Sequence, residues 1–377
     1  MLKVCLWTNR PTHHQKSFFR ACSAVPGMDF SVRYYAGTVC SPMRRAQGWV
    51  SPELDPFEAE AVPADILKPE MRGCVHIIPA LDPGGGRMLA ENAVKAGLKW
   101  MYWGERTGLH FAARLHFNYR LFYALYPLLN RIRLRKYAGF IKNSALLALA
   151  QGRLAEEDLA SLGIDRSRIR FLSYSVPAVP ETAPDETIKK FSAGRTVFLC
   201  VSGLLYMKGL KYMLEAYASL EPELRRRSCL VFAGAGPYLP EMKKMMRNLG
   251  IENSVLFRGT VPSDEIGKIY YAGDVFVLPT LHDGWGAVLN EAASAGLPVI
   301  STEECGAAWH IIKDGFNGRR VKAKSSAALA CAMKEYLMNP AKIKEHGLNS
   351  KKIFADFTPE RGAERLARYL NETGLLK

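Results

Sequence analysis

Short strand-like segments, several of them continuously apolar, punctuate the chain, separated by longer stretches of mixed polarity. In the first half they lie near residues 3 to 8, 30 to 35, 74 to 78, 99 to 103, 145 to 150 and 169 to 172. In the second half they lie near 196 to 201, 228 to 233, 255 to 258, 275 to 279, 298 to 301 and 319 to 321. Runs that are apolar at successive positions suit strands covered on both faces, and strands alternating with helices imply parallel sheets. A chain of 377 residues is longer than one core usually serves, so two α/β domains are expected. Between the two sets, Ser175 to Pro184 holds Pro177, Pro180 and Pro184, which make a semi-rigid connection unsuited to a central strand. The expected division is residues 1–178, residues 179–358 and a closing helical segment, 359–377.

One stretch carries more chemistry than the rest. Residues 278–300 read LPTLHDGWGAVLNEAASAGLPVI, a loop and a helix between two apolar runs, which is a βαβ unit. The helix is expected to begin near Gly286 and to stop at Gly296, with Pro298 beyond it. The first amides of a helix have no intrahelical partner and lie at the positive end of its dipole, so Gly284, Gly286, Ala287 and Val288 are candidates to hold a phosphate. Glu291 stacks above those amides at helical spacing, where a carboxylate can accept both hydroxyls of a ribose. Asp283 precedes the helix, within reach of whatever is joined to the distal phosphate.

These residues resemble the signature of the retaining, nucleotide-sugar-dependent glycosyltransferases of family 4, over about Thr196 to Val321. Val201-Ser202-Gly203-Leu204 through Lys208-Gly209-Leu210 is similar to the family's first phosphate loop. Phe232 to Pro237 resembles its Gly-x-Gly-Pro turn, with Gly236 in the second glycine position, and Phe257-Arg258-Gly259 its base-facing strand. The resemblance implies the GT-B fold, two facing Rossmann-like domains with parallel sheets and an interdomain cleft, with the closing helix crossing back to the first domain. It implies that Glu291 binds the donor ribose, that Lys208 binds the diphosphate, and that Asp283 lies beside the transferred sugar. Gly203, Gly236, Arg258 and Trp285 complete the implied donor site. Neither cofactor nor metal is implied, because retention in this family is ascribed to same-face attack, with the leaving phosphate accepting the proton. The chain departs from the pattern in four places: Gly203 stands where an arginine is frequent, Asp283 replaces glutamate, Trp285 replaces phenylalanine, and His310, read as structural, replaces glutamate.

Charge then adds a partner class. The formal net charge of +15 suggests an anionic partner. From Arg106 to Ala155 the chain has no acidic residue and nine basic ones, Arg106, Arg114, Arg120, Arg131, Arg133, Arg135, Lys136, Lys142 and Arg153, with aromatics between them. Such a segment suits an anionic membrane surface, or else helices packed on a sheet with only their basic ends in solvent. No nucleic-acid-binding module is present, which sets that partner aside. The eight cysteines form no Cys-x-x-Cys pair and fall mostly in apolar runs, which argues for buried thiols. Met1 to Thr8 reads as a first strand without a signal-peptide cleavage site, and no run approaches the ~20 apolar residues of a spanning helix. A cytoplasmic protein, peripheral on the inner face of the cell membrane, is the expectation.

Candidates in the first domain follow from where strands end, because ligands in such sheets bind beyond the carboxyl ends of strands. His13 and His14 follow the first strand and are acceptor-side candidates, with helix capping as the alternative. Glu105, a catalytic candidate, and Arg106, on the acceptor side, follow the strand that ends near Trp103. The glycine-rich run Asp82 to Arg87 lies beyond another strand. The expected function is transfer of a sugar from a nucleoside diphosphate sugar to a glycan or lipid-linked acceptor in surface polysaccharide or lipopolysaccharide assembly. Two alternatives stay open: a catalytically silent nucleotide-sugar or glycan-binding protein, and a GT-B nucleotide-sugar epimerase.

Overall fold

The computed structural model describes residues 1–39, 51–106, 132 and 134–376. These divide into two compact units, one built from the residues up to Val176 together with Thr358 onward, the other from Pro177–Phe357.

The first unit holds a seven-stranded sheet of β1 (Leu2–Thr8), β2 (Met28–Tyr34), β3 (Glu58–Glu60), β4 (Val75–Ile78), β5 (Trp100–Gly104), β6 (Ala148–Ala150) and β7 (Ile169–Phe171). All its pairings are parallel, and the order is β3-β2-β1-β4-β5-β6-β7. The period of two along β1 divides the core: Val4 and Leu6 join the cluster on one face, Cys5 and Trp7 the cluster on the other. Leu366, Tyr369 and Leu370 of the closing helix, Pro359–Glu372, belong to the Val4 cluster, and that helix packs on the helix His13–Ser23.

The short edge strand β3 was not expected, because its residues read Glu-Ala-Glu. Backbone pairing with β2 forms it, and the wholly buried Glu58 carboxylate accepts from the Tyr34 hydroxyl at 2.6 Å, the Asp55 amide at 2.7 Å and the Lys16 ammonium. A buried carboxylate with that many donors is stable where an isolated one would not be.

The second unit repeats the topology with six strands: β8 (Thr196–Val201), β9 (Ser228–Ala233), β10 (Val255–Gly259), β11 (Val275–Leu278), β12 (Val299–Thr302) and β13 (Gly318–Val321). The order is β10-β9-β8-β11-β12-β13, again parallel throughout. Strand order reverses at β8 and β11, and at such a switch the loops leaving the carboxyl ends of the two strands diverge and leave room for a ligand.

The basic segment lies largely outside the described residues, since 107–131 and 133 are not among them. Within its described part, Leu134, Ala138 and Ile141 are buried on a helical stretch, while Arg135, Lys142 and Arg153 are exposed. Among the described residues no helix is long and apolar enough to cross a membrane.

Candidate functional site

The loops that leave β8 and β11 are tied to each other and to their neighbours by close backbone contacts that glycine permits. After β8, the Leu204 amide donates to Ala235 O at 2.9 Å and Leu204 O accepts from the Tyr238 amide at 3.0 Å. A Cβ on Gly234 or Gly236 would overlap the carbonyls of Ser202 and Leu204, so no larger residue fits either place. The chain then makes one 3₁₀ turn, Tyr206–Lys208, and reverses at Gly209, whose φ of +64° lies in the left-handed region. Gly209 also presses on the Pro279 carbonyl beyond β11. Met207 O accepts from the Leu281 amide at 2.8 Å and from the Thr280 hydroxyl at 3.1 Å.

These ties bring together Lys208 and Asp283. The ammonium donates to Asp283 Oδ2 at 2.5 Å, and the two side chains are 18% and 15% exposed. Burial alone would lower the lysine pKa, but the charge of Asp283 and its hydrogen bond outweigh burial and raise it. Lys208 is therefore a fixed cation across the physiological range.

The Asp283 loop is locked from the other side by the segment after β12. Its amide donates to Glu304 O at 3.0 Å, its carbonyl accepts from the Gly306 amide at 3.2 Å, and Trp285 O accepts from the Ala307 amide at 2.7 Å. Gly286 has φ +92°, and a Cβ there would meet Cys305 Sγ at 2.6 Å. The Trp285 side chain turns into the core, where its indole N–H donates to Asn290 Oδ1 at 2.9 Å and its ring packs near His310 and Phe357. Through its side chain Trp285 thus supports the loop, and His310 packs against it.

The helix that follows is shorter than expected, Val288–Ser294, with Ala287 at its N-cap position. Gly296, at φ +82°, ends it, with the Leu297 amide returning to Ala292 O. Glu291 sits in its first turn, 8% exposed, and Oε2 accepts from the Tyr270 hydroxyl at 2.5 Å. Gly284, Gly286, Ala287 and Val288 line the entry to that turn, and Gly203 and Gly236 lie in the loops beyond β8 and β9. One candidate is engaged elsewhere: the Arg258 guanidinium grips both oxygens of Asp185 at 2.9 to 3.1 Å, and Asp185 caps the helix Glu186–Ser192 by accepting from the Ile188 amide. Tyr270 was missed, because it stands 21 residues before Glu291 and no local spacing joins them.

In the first unit, His13 and His14 open the helix His13–Ser23 with their rings 3.8 Å apart. The N-cap position is Thr12, whose side chain makes no cap hydrogen bond and instead meets the Tyr174 hydroxyl at 3.2 Å. Capping is therefore not what the histidines do. Glu105 and Arg106 follow β5 and are half-buried. The buried Tyr102 hydroxyl has its pKa raised by desolvation and by the charges of Asp158, Glu105 and Asp82. Asp82 accepts from the Tyr35 hydroxyl at 2.9 Å, and Arg87 stacks 4.4 Å from the Tyr137 ring.

Comparison with known proteins bears on both fold and site. Residues 184–353 match the family model of glycosyl transferases group 1. The chain is 32% identical over 155 residues to an uncharacterised glycosyltransferase of Methanocaldococcus jannaschii, a match spanning 39% of each chain. It is 29% identical over 236 residues to a GDP-mannose-dependent alpha-(1-6)-phosphatidylinositol monomannoside mannosyltransferase of Mycobacterium tuberculosis, spanning 59% of this chain and 58% of the relative. The alignments thus cover well under two thirds of these relatives' length. In structure, the chain matches Anabaena HepE in complex with UDP with a TM-score of 0.74 at 16% identity, over 99% of this chain and all of that one. It matches WaaG, a glycosyltransferase of lipopolysaccharide biosynthesis, with a TM-score of 0.62 at 20% identity, over 96% and 98%. The fold is that of the GT-B glycosyltransferases, with two parallel-sheet α/β domains.

Proposed function

Taking residues 184–353 as a glycosyl transferases group 1 domain, we propose that the chain is a retaining glycosyltransferase that moves a sugar from a nucleoside diphosphate sugar to a glycan or lipid-linked acceptor. The observation that carries this reading is the Lys208–Asp283 pair at the β8/β11 switch, beside a helix whose first turn holds Glu291. The ligand of HepE, UDP, and the donor of the mycobacterial relative, GDP-mannose, are both nucleotide-based, which supports the donor class.

In the proposed reaction the bond between the sugar and the diphosphate breaks, and negative charge develops on the departing phosphate. Lys208 stabilises that charge together with the amides at the start of the Val288–Ser294 helix, a form of catalysis worth most where the cation is already in place. Asp283 is shorter than glutamate and already bonded to Lys208, so it holds the ammonium in place until the diphosphate arrives and then orients the sugar. Glu291 anchors the ribose. The acceptor hydroxyl attacks from the face the phosphate leaves, and the phosphate takes its proton, so the step needs no metal and no protein base. Glu105 and Arg106 remain our candidates beside the acceptor, with His13 and His14, and surface glycan or lipopolysaccharide assembly at the inner face of the membrane is the setting proposed.

One observation favours a second reading, a nucleotide-sugar or glycan-binding protein without turnover: Gly203 offers no side chain to the diphosphate, and the charge of Lys208 is already matched by Asp283. Thermal shift against UDP, GDP, ADP and TDP sugars, with wild type beside Glu291→Ala, tests the donor site, and donor hydrolysis or transfer separates the readings. Stabilisation of wild type by one donor, abolished in Glu291→Ala, is expected. Stabilisation by none of them removes the donor site and the transferase with it.

A further inference from the structure

Glu291 receives a proton donor from a residue that the donor pattern does not contain. A carboxylate 8% exposed needs fixed donors to stay charged, and one of them is the Tyr270 hydroxyl, 2.5 Å from Oε2. Tyr270 is wholly buried at the end of the helix Ile266–Tyr270, with its ring 5.9 Å from that of Phe276 in β11. The hydroxyl is therefore held by a core ring and cannot swing away. A phenol has one proton to donate, and here it goes to the carboxylate. Burial, followed by the charge of Glu291, lifts the Tyr270 pKa well above the usual range, so the hydroxyl remains a donor at any working pH.

Two vicinal hydroxyls bound by one carboxylate need its plane set in advance, because rotation about the last side-chain torsion swings an oxygen out of line. A rigid donor on Oε2 sets that plane. We infer that Tyr270 is a positioning residue for the donor nucleoside: by fixing Glu291, it makes the site prefer a ribose with both hydroxyls over one that lacks the 3′ hydroxyl. The inference rests on the donor role proposed above for Glu291.

Calorimetric titration with UDP, GDP and ADP identifies the tightest diphosphate, which is then compared with its 3′-deoxy counterpart. Wild type is expected to prefer the ribose form about tenfold or more, as one hydrogen bond to a charged group allows. Tyr270→Phe keeps the ring volume and is expected to bring the preference close to one, with the 3′-deoxy affinity unchanged. Phe276→Leu loosens the same packing but keeps the hydroxyl, and should lower the preference by less than Tyr270→Phe does. On a Glu291→Ala background, Tyr270→Phe should add no further loss. A folded Tyr270→Phe that keeps the wild-type preference overturns the inference and leaves the transferase reading standing. A wild type that binds no diphosphate, or binds both forms equally, removes the role of Glu291 and the inference with it.

Discussion

The carboxyl edges of the two sheets differ in what holds their loops. Both sheets share one topology, with strand order reversing at β1 and β4 in the first and at β8 and β11 in the second. At the second edge the loops are held by backbone against backbone: Gly209 on Pro279, Gly234 on Ser202, Gly236 on Leu204 and Gly306 on Gly284. At the first edge side chains do more of the work, with Thr12 on Tyr174, Tyr35 on Asp82 and the rings of His13 and His14 in tilted contact. Contacts between backbones demand glycine and so leave a mark in the sequence, whereas contacts between side chains admit many pairs and leave little. The second edge is therefore built to hold one fixed shape, and the first admits more variation.

The strongest way to break this contrast is at Lys208. Lys208→Ala should lower turnover by about 100- to 1,000-fold, the usual cost of removing one group that stabilises a developing oxyanion, while Glu105→Gln should leave diphosphate binding unchanged. Steady-state rates beside calorimetric Kd values check both, and a Lys208→Ala enzyme of near wild-type rate would break the donor assignment.

Next, two glycine substitutions separate the units. Gly209→Ala places a Cβ against the Pro279 carbonyl at a positive φ, so the loop carrying Lys208 must shift. Roughly 1 to 3 kcal/mol of stability should be lost, along with donor affinity. Gly86→Ala places a Cβ against the Pro79 carbonyl in the first unit and should destabilise that unit alone. Hydrogen exchange read by mass spectrometry, with a diphosphate titration, distinguishes the two outcomes.

The smallest effect is a difference in acid sensitivity. Buried His76 accepts the Trp7 indole proton on Nδ1 and meets Met71 O with Nε2, so a second ring proton would point at a donor. Desolvation pulls its pKa down to about 4. The unfolded chain binds that proton first, near 6.5, so the stabilisation is complete above that pH and is lost as pH falls towards 4. It amounts to on the order of 3 kcal/mol. In the second unit, hydrogen bonds from Arg319 and Lys342 overcome desolvation and hold Glu335 down at about 2. Its contribution is present above the ordinary carboxylate pKa and is lost only as pH falls from there towards 2. Desolvation also lowers the pKa of buried His346 in the second unit, so His76→Gln separates the two: it should remove the His76 window and leave the second unit's acid response unchanged, as pH-dependent melting would show.

Strands such as β11 were legible because every position is apolar, whereas β2 alternates and β13 begins Gly-Arg-Arg. β3 escaped because Glu58 is polar and its burial depends on Lys16 and Tyr34, distant in the chain. Asp283, Lys208 and Glu291 were legible as a motif, and the fold brings the first two into contact. For Trp285 and Arg258 the sequence does not show direction: one ring turns inward to Asn290, and one guanidinium turns to Asp185. Tyr270 left no signal because its contact is made across the βαβ crossover.

The closing helix Pro359–Glu372 completes the core of the unit in which the chain begins. On the ribosome, that unit waits for its last residues until Pro177–Phe357 of the second unit has been made. The stretch Pro177–Phe357 is complete first and is free to fold earlier. A stop codon just before Thr358 would spare every donor-site residue named here and leave the first unit without Leu366, Tyr369 and Leu370. Loss of the last twenty residues should therefore yield a protein whose second unit still folds but that is cleared by proteolysis from its amino-terminal half.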